Sequence, residues 1–437
     1  MEAFKIKNGL SAKRYLGSTT TLSGSTIDLS LGSMFSTTLS SDPAYTFTNP
    51  PASGNAQAFS VEVTGGTTTF TNDAFATTLY TGNGTSQTIT NGLDLANDGG
   101  LVWLKARSAT GYEHELTDTV RGTTSSGKAL NSNDSQPEQL GDLTSFNSSG
   151  FGLSYNTANG NGSGINYAAW SFKKQTKFFD IVTYTGNDVS GREIAHNLGS
   201  VPGSIIIKET SNTYNWQVFH RSIGPTKFLE LNTTGAQQTS SALWDDTDPT
   251  STVFTIGNEY GVNRSGRTYV AYLFAHDTAS DSRIKCGSFT GVGSGAVDVD
   301  LGWGPQFVLT KNASRSADWM MQDTTRGMSE TSWNPIIANK AEAELSTSEN
   351  RVVPTTTGFT VNNNGGNDMG QSGDTVIYMA IRGDAATDSA ITWPSSVKWP
   401  SGVAPTTPAA GTKDLFTFLT TDGGTTYYGK KAAEGLA

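Results

Sequence analysis

A short apolar run occurs three times in this 437-residue chain at one spacing. The copies are Val102–Lys105, Ile205–Lys208 and Val308–Lys311, and each lysine follows the previous one by 103 residues. Large and β-branched apolar residues between Gly or Pro flanks are typical of a buried strand. The run therefore predicts the central strand of a unit that the chain contains three times.

Further landmarks accompany the run in each unit and keep the same order. They are an aromatic-Thr-Gly turn (80–82, 184–186, 289–291), an arginine (Arg121, Arg221, Arg326), a Phe after Gly or Val (150–151, 253–254, 358–359), a Ser-Gly turn (163–164, 265–266, 372–373) and a closing strand (167–170, 269–272, 378–381). A period this long, with several strands inside it, predicts three modules that each bury a core, rather than the thin coils of a solenoid.

The composition is that of an all-β protein. Gly, Ser, Thr and Asn are abundant, and no long stretch has the i, i+3, i+4, i+7 apolar spacing of an amphipathic helix. The best helical candidate, Asn339–Glu344, is short enough to be a single turn inside a loop. We predict β-sandwich modules of jelly-roll or concanavalin-like type.

Residues 1–66 do not copy the repeat, and neither does the chain after the third unit. Alternating strands are predicted at 59–63 and 414–419, and Asp422–Gly424 is a hairpin signal between two apolar segments. Each terminal segment is short for an independent domain, but together they would make one ordinary β domain. The predicted boundaries are 1–70 plus 388–437 for a split terminal domain, and 71–174, 175–280 and 281–387 for three modules inserted into it.

Charge, cysteine content and hydropathy exclude several classes of protein. A net charge of −10 argues against nucleic-acid binding, which needs a basic face. One cysteine, Cys286, rules out an internal disulfide framework. No apolar run reaches the ~18 residues that span a bilayer, and Met1–Leu10 has no signal-peptide core. We expect a protein made in a cytoplasm, without membrane insertion.

Both halves of the split terminal domain carry motifs of a known module. The motifs are Asp28–Ser30, Asn49–Gly54, Phe59–Gly66, Trp393–Pro400 and Asp422–Gly429. They resemble a small module that is common at the ends of tailed-bacteriophage structural proteins, where the two halves follow each other directly. In this chain the three units interrupt them.

The units resemble a second recurring element, found in phage tail and appendage proteins. The motifs are Val102–Lys105, Asp118–Gly122, Thr144–Phe146, Ser149–Phe151 and Tyr167–Trp170 in the first unit, and 194–199, 250–254 and 269–274 for a variant form in the second. The third unit departs most, because Met320–Gln322 and the stretch 339–350 have no apparent counterpart in the others. The resemblance implies a virion structural protein.

The sequence contains no clear motif for catalysis or metal binding. Gly122–Lys128 has the Gly and Lys spacing of a phosphate-binding loop, but Ala129 stands where Ser or Thr would take the metal. The histidines are His114, His196, His220 and His276, and they never have metal-ligand spacing. The acidic stretch 245–248 is better interpreted as a solvated turn than as a calcium site. We expect no enzyme, no cofactor and no metal.

Tryptophan recurs at one position of the repeat. Counting 11 positions from the start of each central run gives Glu113, Trp216 and Trp319. Tryptophan could stack on sugar rings, and the arginines that follow, Arg221 and Arg326, could hold acidic groups. We predict these two tryptophans and two arginines as receptor or glycan contacts. The alternative is that Trp216 and Trp319 pack the second strand of each unit, since a core position would recur as well.

These observations predict a structural protein of a tailed-phage virion, made in the host cytoplasm. The leading interpretation is a tail fibre or appendage in which the split domain binds other virion proteins and the modules meet a host receptor or glycan. The alternative is a capsid decoration, because the sequence shows no heptad or triple-β-helix shaft between the split domain and the modules. A depolymerase of surface polysaccharide is the third, since two carboxylates can meet in space without a sequence trace. A homo-oligomer is also expected.

Overall fold

A computed structural model describes residues 19–22, 26–38, 45–53, 55–64, 74–123, 127–155, 157–279, 282–328, 334–345, 351–383, 391, 393–400, 402–405 and 413–436. Regular structure in this part of the chain is almost entirely β, which confirms the all-β prediction. The exceptions are helices α1 (Ser241–Trp244) and α2 (Tyr260–Asn263) and one 3-10 turn, Thr324–Arg326. The chain divides into a terminal unit, residues 1–71 with 384–437, and a repeat unit, residues 72–383.

The strands follow one another along the chain in this order. They are β1 (Thr20–Thr21), β2 (Thr26–Asp28), β3 (Met34–Thr38), β4 (Thr46–Thr48), β5 (Gln57–Thr64), β6 (Phe75–Thr81), β7 (Gln87–Thr90), β8 (Gly100–Ala106), β9 (Glu115–Asp118), β10 (Leu143–Asn147), β11 (Gly150–Leu153), β12 (Asn166–Lys173), β13 (Phe179–Thr185), β14 (Arg192–Ala195), β15 (Pro202–Glu209), β16 (Gln217–His220), β17 (Lys227–Glu230), β18 (Gln238–Thr239), β19 (Val253–Ile256), β20 (Thr268–Ala275), β21 (Ile284–Thr290), β22 (Ser294–Asp300), β23 (Pro305–Asn312), β24 (Trp319–Asp323), β25 (Ile336–Ile337), β26 (Arg351–Pro354), β27 (Gly358–Asn364), β28 (Thr375–Arg382), β29 (Val397–Lys398), β30 (Lys413–Thr420) and β31 (Tyr427–Leu436).

The terminal unit joins strands from both ends of the chain in one sheet, in the order β1-β3-β5-β30-β31-β29. Strand β5 pairs antiparallel with β30, and Phe59 lies opposite Phe418. Their rings stack with centroids 5.1 Å apart, and Trp393 packs on Phe418 at 5.0 Å. Because buried residues alternate with half-buried ones along β5, one face of the sheet covers this aromatic core.

Each repeat has a main sheet and a smaller second sheet. The main sheets run β6-β12-β8-β9, β13-β20-β15-β16-β17-β18 and β21-β28-β23-β24-β25. The second sheets run β10-β11-β7, β14-β19 and β22-β27-β26. In all three main sheets the closing strand of the repeat lies between its first strand and its central strand. We call residues 72–174, 175–280 and 281–383 repeats 1, 2 and 3.

The strand registers align the three repeats residue by residue. In the pairs formed by central and closing strands, Trp103 lies opposite Trp170, Ile206 opposite Tyr272, and Leu309 opposite Met379. On the other side of the central strand, Leu101 lies opposite Asp118, Ser204 opposite His220, and Phe307 opposite Asp323. Residues that occupy the same place in this pattern are called equivalent below.

The three repeats share one core. Val102 and Leu104 of β8 face the sandwich core of repeat 1, whereas Leu101 and Trp103 belong to a cluster that draws on all three repeats. Burial on both faces explains why the central run is continuously apolar instead of alternating. Repeats 1 and 3 also bury separate clusters of their own, as expected of modules with a core, and the shared cluster is an addition that the sequence did not predict.

Aromatic rings from the three repeats meet inside this shared core. The Phe172 ring of repeat 1 lies 5.5 Å from that of Phe274 in repeat 2, its equivalent, and 6.4 Å from that of Phe307 in repeat 3. Contact between equivalent residues places them near an approximate threefold axis of the repeat unit.

Backbone hydrogen bonds join the repeats into a closed ring. The amide nitrogens of Glu138, Gln237 and Glu344 donate to the carbonyl oxygens of Thr210, Ala313 and Arg107, at 3.0, 2.8 and 2.9 Å. The amide nitrogens of Tyr214, Ala317 and Gly111 donate to the carbonyl oxygens of Ser135, Thr234 and Ala341, at 2.9, 2.9 and 2.8 Å. Two such bonds form at each of the 1–2, 2–3 and 3–1 interfaces, although Gly111 lies one residue before the equivalent of Tyr214 and Ala317, and the bonds at the 3–1 interface close the ring.

One expectation about repeat 3 agrees with the structure and one is wrong. The segment Asn339–Glu344, expected to be a single turn inside a loop, begins in a turn and continues as the extended stretch that bonds to repeat 1. The expectation that residues 339–345 and Met320–Gln322 lack counterparts is wrong, since β24 corresponds to β9 and β16. Equivalent asparagine side chains, Asn133, Asn232 and Asn339, accept from the backbone nitrogens of His114, Trp216 and Trp319. Residues 346–350 lie outside the described part.

Candidate functional site

Trp216 and Trp319 lie inside the ring, where the neighbouring repeat covers them. Trp216 is 0% exposed and Trp319 is 3% exposed. Nε1 of Trp216 donates to the Asn131 carbonyl oxygen at 2.9 Å, and Nε1 of Trp319 donates to the Glu230 carbonyl oxygen at 3.0 Å. The two acceptors are equivalent and belong to the preceding repeat. In this fold the two tryptophans are interface residues rather than the receptor contacts that we predicted.

The equivalent residue of repeat 1 is His114, not the Glu113 that the sequence count selected. The Nδ1 atom of His114 accepts from Trp103 Nε1 at 2.8 Å, and Nε2 lies 3.0 Å from the Ile337 carbonyl oxygen of repeat 3. Both contacts require the neutral imidazole protonated on Nε2, and burial holds the pKa of His114 well below its ordinary value. At each of the three interfaces, therefore, a ring N–H of one repeat donates a hydrogen bond to the equivalent backbone carbonyl of its neighbour.

Arg326 is also buried, at the 3–1 interface. Its Nε lies 2.6 Å from Oδ2 of Asp323, and its guanidinium lies 5.1 Å from the centroid of the Trp170 ring. Nε1 of Trp170 donates to the same carboxylate oxygen at 2.9 Å. The Asp323 carboxylate thus neutralises the charge of Arg326 inside the ring. Arg326 too is an interface residue rather than a receptor contact.

The 1–2 interface contains the equivalent cluster. Nε of Arg121 lies 2.5 Å from Oδ2 of Asp118, and the hydroxyl of Tyr272 donates to that oxygen at 2.9 Å. Nη1 of Arg121 also contacts Oε1 of Glu138 at 3.1 Å. Buried charges are tolerated when they are paired and hydrogen-bonded in this way.

The 2–3 interface replaces this cluster with less polar residues. His220, Ile223 and Met379 are equivalent to the aspartate, arginine and aromatic residue of the other two. Nε2 of His220 lies 3.1 Å from the Tyr378 carbonyl oxygen, and burial lowers the pKa of His220 to about 4. A cavity of about 10 Å³ remains beside His220, Ile206 and Met379, which is close to the size of one water molecule.

Arg221, the fourth predicted contact, is exposed on the surface of repeat 2. The sequence landmarks align it with Arg121 and Arg326, but the strand register assigns that place to Ile223. The four predicted contacts therefore do not form one site, because three are buried at three interfaces and one is exposed.

The lysines that end the central runs occupy equivalent buried places. Lys105, Lys208 and Lys311 are each 0% exposed. Each Nζ donates to the carbonyl oxygen of the following residue, at 3.0, 2.6 and 2.9 Å. Burial lowers the pKa of each ammonium group to about 8. The Nζ of Lys311 also reaches the Thr234 carbonyl oxygen of repeat 2 at 3.2 Å, so the covering atoms come partly from another repeat.

A polar groove of about 350 Å³ lies between repeats 1 and 2. Repeat 1 supplies Val120, Arg121, Lys128 and Glu138, and repeat 2 supplies Thr183, Tyr184, Thr185, Thr210, Thr268 and Tyr269. We call this site the 1–2 groove. Its volume is within the range of small-ligand sites in proteins, which makes it a candidate binding site in the described part of the repeat unit.

The charged groups of the 1–2 groove neutralise one another. Nζ of Lys128 lies 2.7 Å from Oε2 of Glu138, and Arg121 binds the other oxygen of that carboxylate and Asp118. The Lys128 side chain is 37% exposed, whereas that of Arg121 is 4% exposed. A ligand in this groove meets polar groups without an excess of either charge.

The other two interfaces differ at the residue equivalent to Thr210. Arg107 takes this place at the 3–1 interface, where its Nε donates to Oε2 of Glu344 at 2.8 Å. Glu344 is equivalent to Glu138. At the 1–2 interface Thr210 is too short to reach that carboxylate, and Lys128 takes the second oxygen instead. At the 3–1 interface the Arg107 side chain thus fills a position whose equivalent in the 1–2 groove is open.

Sequence reasoning missed the 1–2 groove because its two walls lie in different repeats. The available signal was the change among Arg107, Thr210 and Ala313, three equivalent residues of unlike size. That change becomes informative only when the ring is known to bring residue 210 to Glu138.

Within the described ranges, no group of three or more His, Cys, Asp or Glu residues is arranged to hold a metal ion. The loop resembling a phosphate-binding loop includes residues 124–126, which lie outside those ranges. No described helix has the length and apolar character needed to cross a bilayer.

Comparison with known proteins identifies a family. No curated protein matches the chain. One family model, described as a domain of unknown function (DUF7483), matches residues 71–384. These limits nearly coincide with those of the repeat unit, residues 72–383. Because the match covers well over half of the sequence, the chain belongs to the DUF7483 family.

Proposed function

We propose that the protein is a structural component of a tailed-phage virion that takes part in host-surface recognition, as a tail fibre or tail appendage. The observation that carries the proposal is the closed ring of three repeats. A ring with a shared core and backbone bonds at all three interfaces holds its surface grooves in fixed positions, and binding sites on rigid scaffolds lose little conformational entropy when a ligand binds.

The sequence resemblances support the same proposal. The repeats resemble elements of phage tail and appendage proteins, and the terminal unit resembles a module of tailed-phage structural proteins. In the proposal the terminal unit binds other virion proteins, and the ring meets the host surface. The protein is made in the host cytoplasm and assembled into the virion.

The first test locates the protein on purified virions of the encoding phage. Antibodies raised against the purified full-length protein are bound to intact particles and imaged by electron microscopy. Label at the tail supports the proposal. Label distributed over the head contradicts it and favours a capsid decoration, and particles that lack the protein contradict both.

The second test asks whether the protein recognises the host. Purified full-length protein is mixed with host cells before the phage is added, and adsorption is measured by counting free particles. A recognition component should reduce adsorption in a concentration-dependent way. Binding to the cells is measured separately with fluorescently labelled protein. A recognition role is contradicted if the labelled protein does not bind the cells, or if it binds to saturation without reducing phage adsorption.

A further inference from the structure

The floor of the 1–2 groove is a row of threonines on one face of the main sheet of repeat 2. Thr185 lies opposite Thr268 in the pairing of β13 with β20. Thr183 is two residues before Thr185 and therefore faces the same way. The Thr183 and Thr185 side chains are exposed, and their hydroxyls bond no other described residue. Each can donate one hydrogen bond and accept others.

The wall from repeat 1 offers an apolar group and a bound ion pair. The Val120 side chain is 43% exposed at the edge of the groove. The Lys128–Glu138 pair presents an ammonium donor and a carboxylate acceptor, and the cation and anion cancel. An ionic ligand would have to compete with this pair, whereas a neutral one can use its remaining donor and acceptor sites.

We propose that the 1–2 groove binds a neutral saccharide. Sugar hydroxyls match the free threonine hydroxyls and the polar atoms of the Lys128–Glu138 pair, and a C–H face of the ring packs on Val120. The site lies at one of the three interfaces, because Arg107 fills the equivalent position at the 3–1 interface and Ala313 lacks a polar side chain at the 2–3 interface. The proposal rests on the proposed host-recognition function and names the ligand class for it.

The test uses an array of neutral hexose and N-acetylhexosamine oligosaccharides, with uronic-acid oligosaccharides as the charged comparison. Purified full-length protein is applied, and the dissociation constant of each bound glycan is measured by calorimetry. Two variants alter the groove in different ways. Thr183→Val/Thr185→Val removes two hydroxyls without changing side-chain shape. Lys128→Asn/Thr210→Arg copies the 3–1 interface into the 1–2 interface and fills the groove.

The copied interface should fold, because the backbone at the two places is the same. The amide nitrogen of Arg107 donates to Asn166, and that of Thr210 donates to the equivalent Thr268, at 2.7 and 2.8 Å. The matched control is Ser288→Ala/Thr290→Val, which changes the equivalent hydroxyls of repeat 3, where Thr290 lies opposite Thr375. Circular dichroism and thermal unfolding confirm that each variant is folded.

We expect at least one neutral oligosaccharide to bind, with an affinity loss of roughly tenfold or more in both groove variants and no loss in the control. A tenfold loss of affinity corresponds to a loss of about 1.4 kcal/mol in the free energy of binding. No binding to any neutral oligosaccharide, preference for the charged ones, or equal affinity in wild type and folded groove variants would overturn the proposal.

The adsorption assay separates this proposal from the proposed function. If wild-type protein and both groove variants reduce phage adsorption equally, host recognition stands and the saccharide site is overturned. If no version reduces adsorption while wild type binds a neutral oligosaccharide through the groove, the site stands and host recognition is contradicted.

Discussion

At the scale of single residues, the interfaces depend on hydrogen bonds that side chains of one repeat make to carbonyl groups of another. Trp216 donates from Nε1 to the Asn131 carbonyl at 2.9 Å and packs against Tyr272 with ring centroids 6.4 Å apart. Trp216→Phe should keep most of the packing and remove the indole donor from that carbonyl and from the Asp134 carbonyl, which Nε1 reaches at 3.1 Å. We expect a loss of about 1–3 kcal/mol in the free energy of unfolding, measured by urea denaturation.

A matched change at Tyr260, whose side chain is 47% exposed, serves as the control. Tyr260→Phe should change stability by less than about 0.5 kcal/mol, as expected of a surface substitution. If Trp216→Phe is as stable as the control, the hydrogen bond to Asn131 has no structural role.

The Asp118–Arg121 pair is a second residue-scale feature of the 1–2 interface. Both side chains are nearly inaccessible, at 0% and 4% exposure. Asp118→Asn keeps the shape but removes the charge that offsets the buried guanidinium, so we expect a loss of about 3 kcal/mol. The control is Lys413→Gln at the half-exposed Lys413–Glu62 pair, where surface ion pairs contribute about 1 kcal/mol or less. Equal effects in the two urea titrations would contradict the assignment.

The three buried lysines predict how stability changes with pH. The pKa of each is about 8 in the folded chain and near 10.5 when unfolded. Between these values the unfolded chain binds more protons, so stability rises with pH, whereas below pH 8 the cost of burying the charges is fully present. Glu115, whose pKa burial raises to about 8, acts in the opposite direction, mainly below pH 8.

We expect the free energy of unfolding to rise between pH 8 and 9 by about 1 kcal/mol per lysine. Urea titrations at both pH values measure the change. Lys208→Met removes one charge at similar length and should reduce the rise by about a third. Stability that does not rise over this interval would contradict the burial of the lysine charges, because solvated lysines bind protons equally in the folded and unfolded chain.

At the scale of elements, an asparagine side chain hydrogen-bonds the segment that follows the fourth strand of each repeat to the start of that strand. Oδ1 of Asn232 accepts from the Trp216 backbone nitrogen at 3.0 Å, and Nδ2 donates to Asn215 Oδ1 at 2.8 Å. Asn232→Ala should destabilise the repeat unit by about 1–3 kcal/mol, because a buried backbone donor loses its partner. The exposed Asn212 is the control, and Asn212→Ala should have little effect on the thermal midpoint.

The elements differ in how far local sequence could predict them. The continuous apolar runs correctly predicted buried central strands, since only a strand covered on both faces lacks alternation. The best helical candidate, Asn339–Glu344, was expected to form no more than a single turn, and it is not a helix. Its helix-forming alanines and glutamates have a weak local preference, and the hydrogen bonds from Glu344 and to Ala341 across the 3–1 interface outweigh it.

At the scale of the whole molecule, the shared core predicts that the repeats do not fold separately. A fragment of residues 175–280 would expose Ile206, Trp216 and Tyr272, which other repeats cover in the ring. We expect this fragment to aggregate or self-associate, and residues 72–383 to be monomeric and to unfold in one cooperative transition. Size-exclusion chromatography and calorimetry measure both. A stable, monomeric single repeat would contradict the shared core.

The sequence by itself determined the all-β character and the threefold repetition, because both are local properties of residue type and spacing. It did not determine which residues are exposed. Trp216, Trp319 and Arg326 have the composition of a binding surface, yet neighbouring repeats bury them. Only the tertiary structure decided this, because closing the ring brings together residues a hundred or more positions apart. The same closure sets Thr210 beside Glu138 and leaves the 1–2 groove open where Arg107 fills its counterpart.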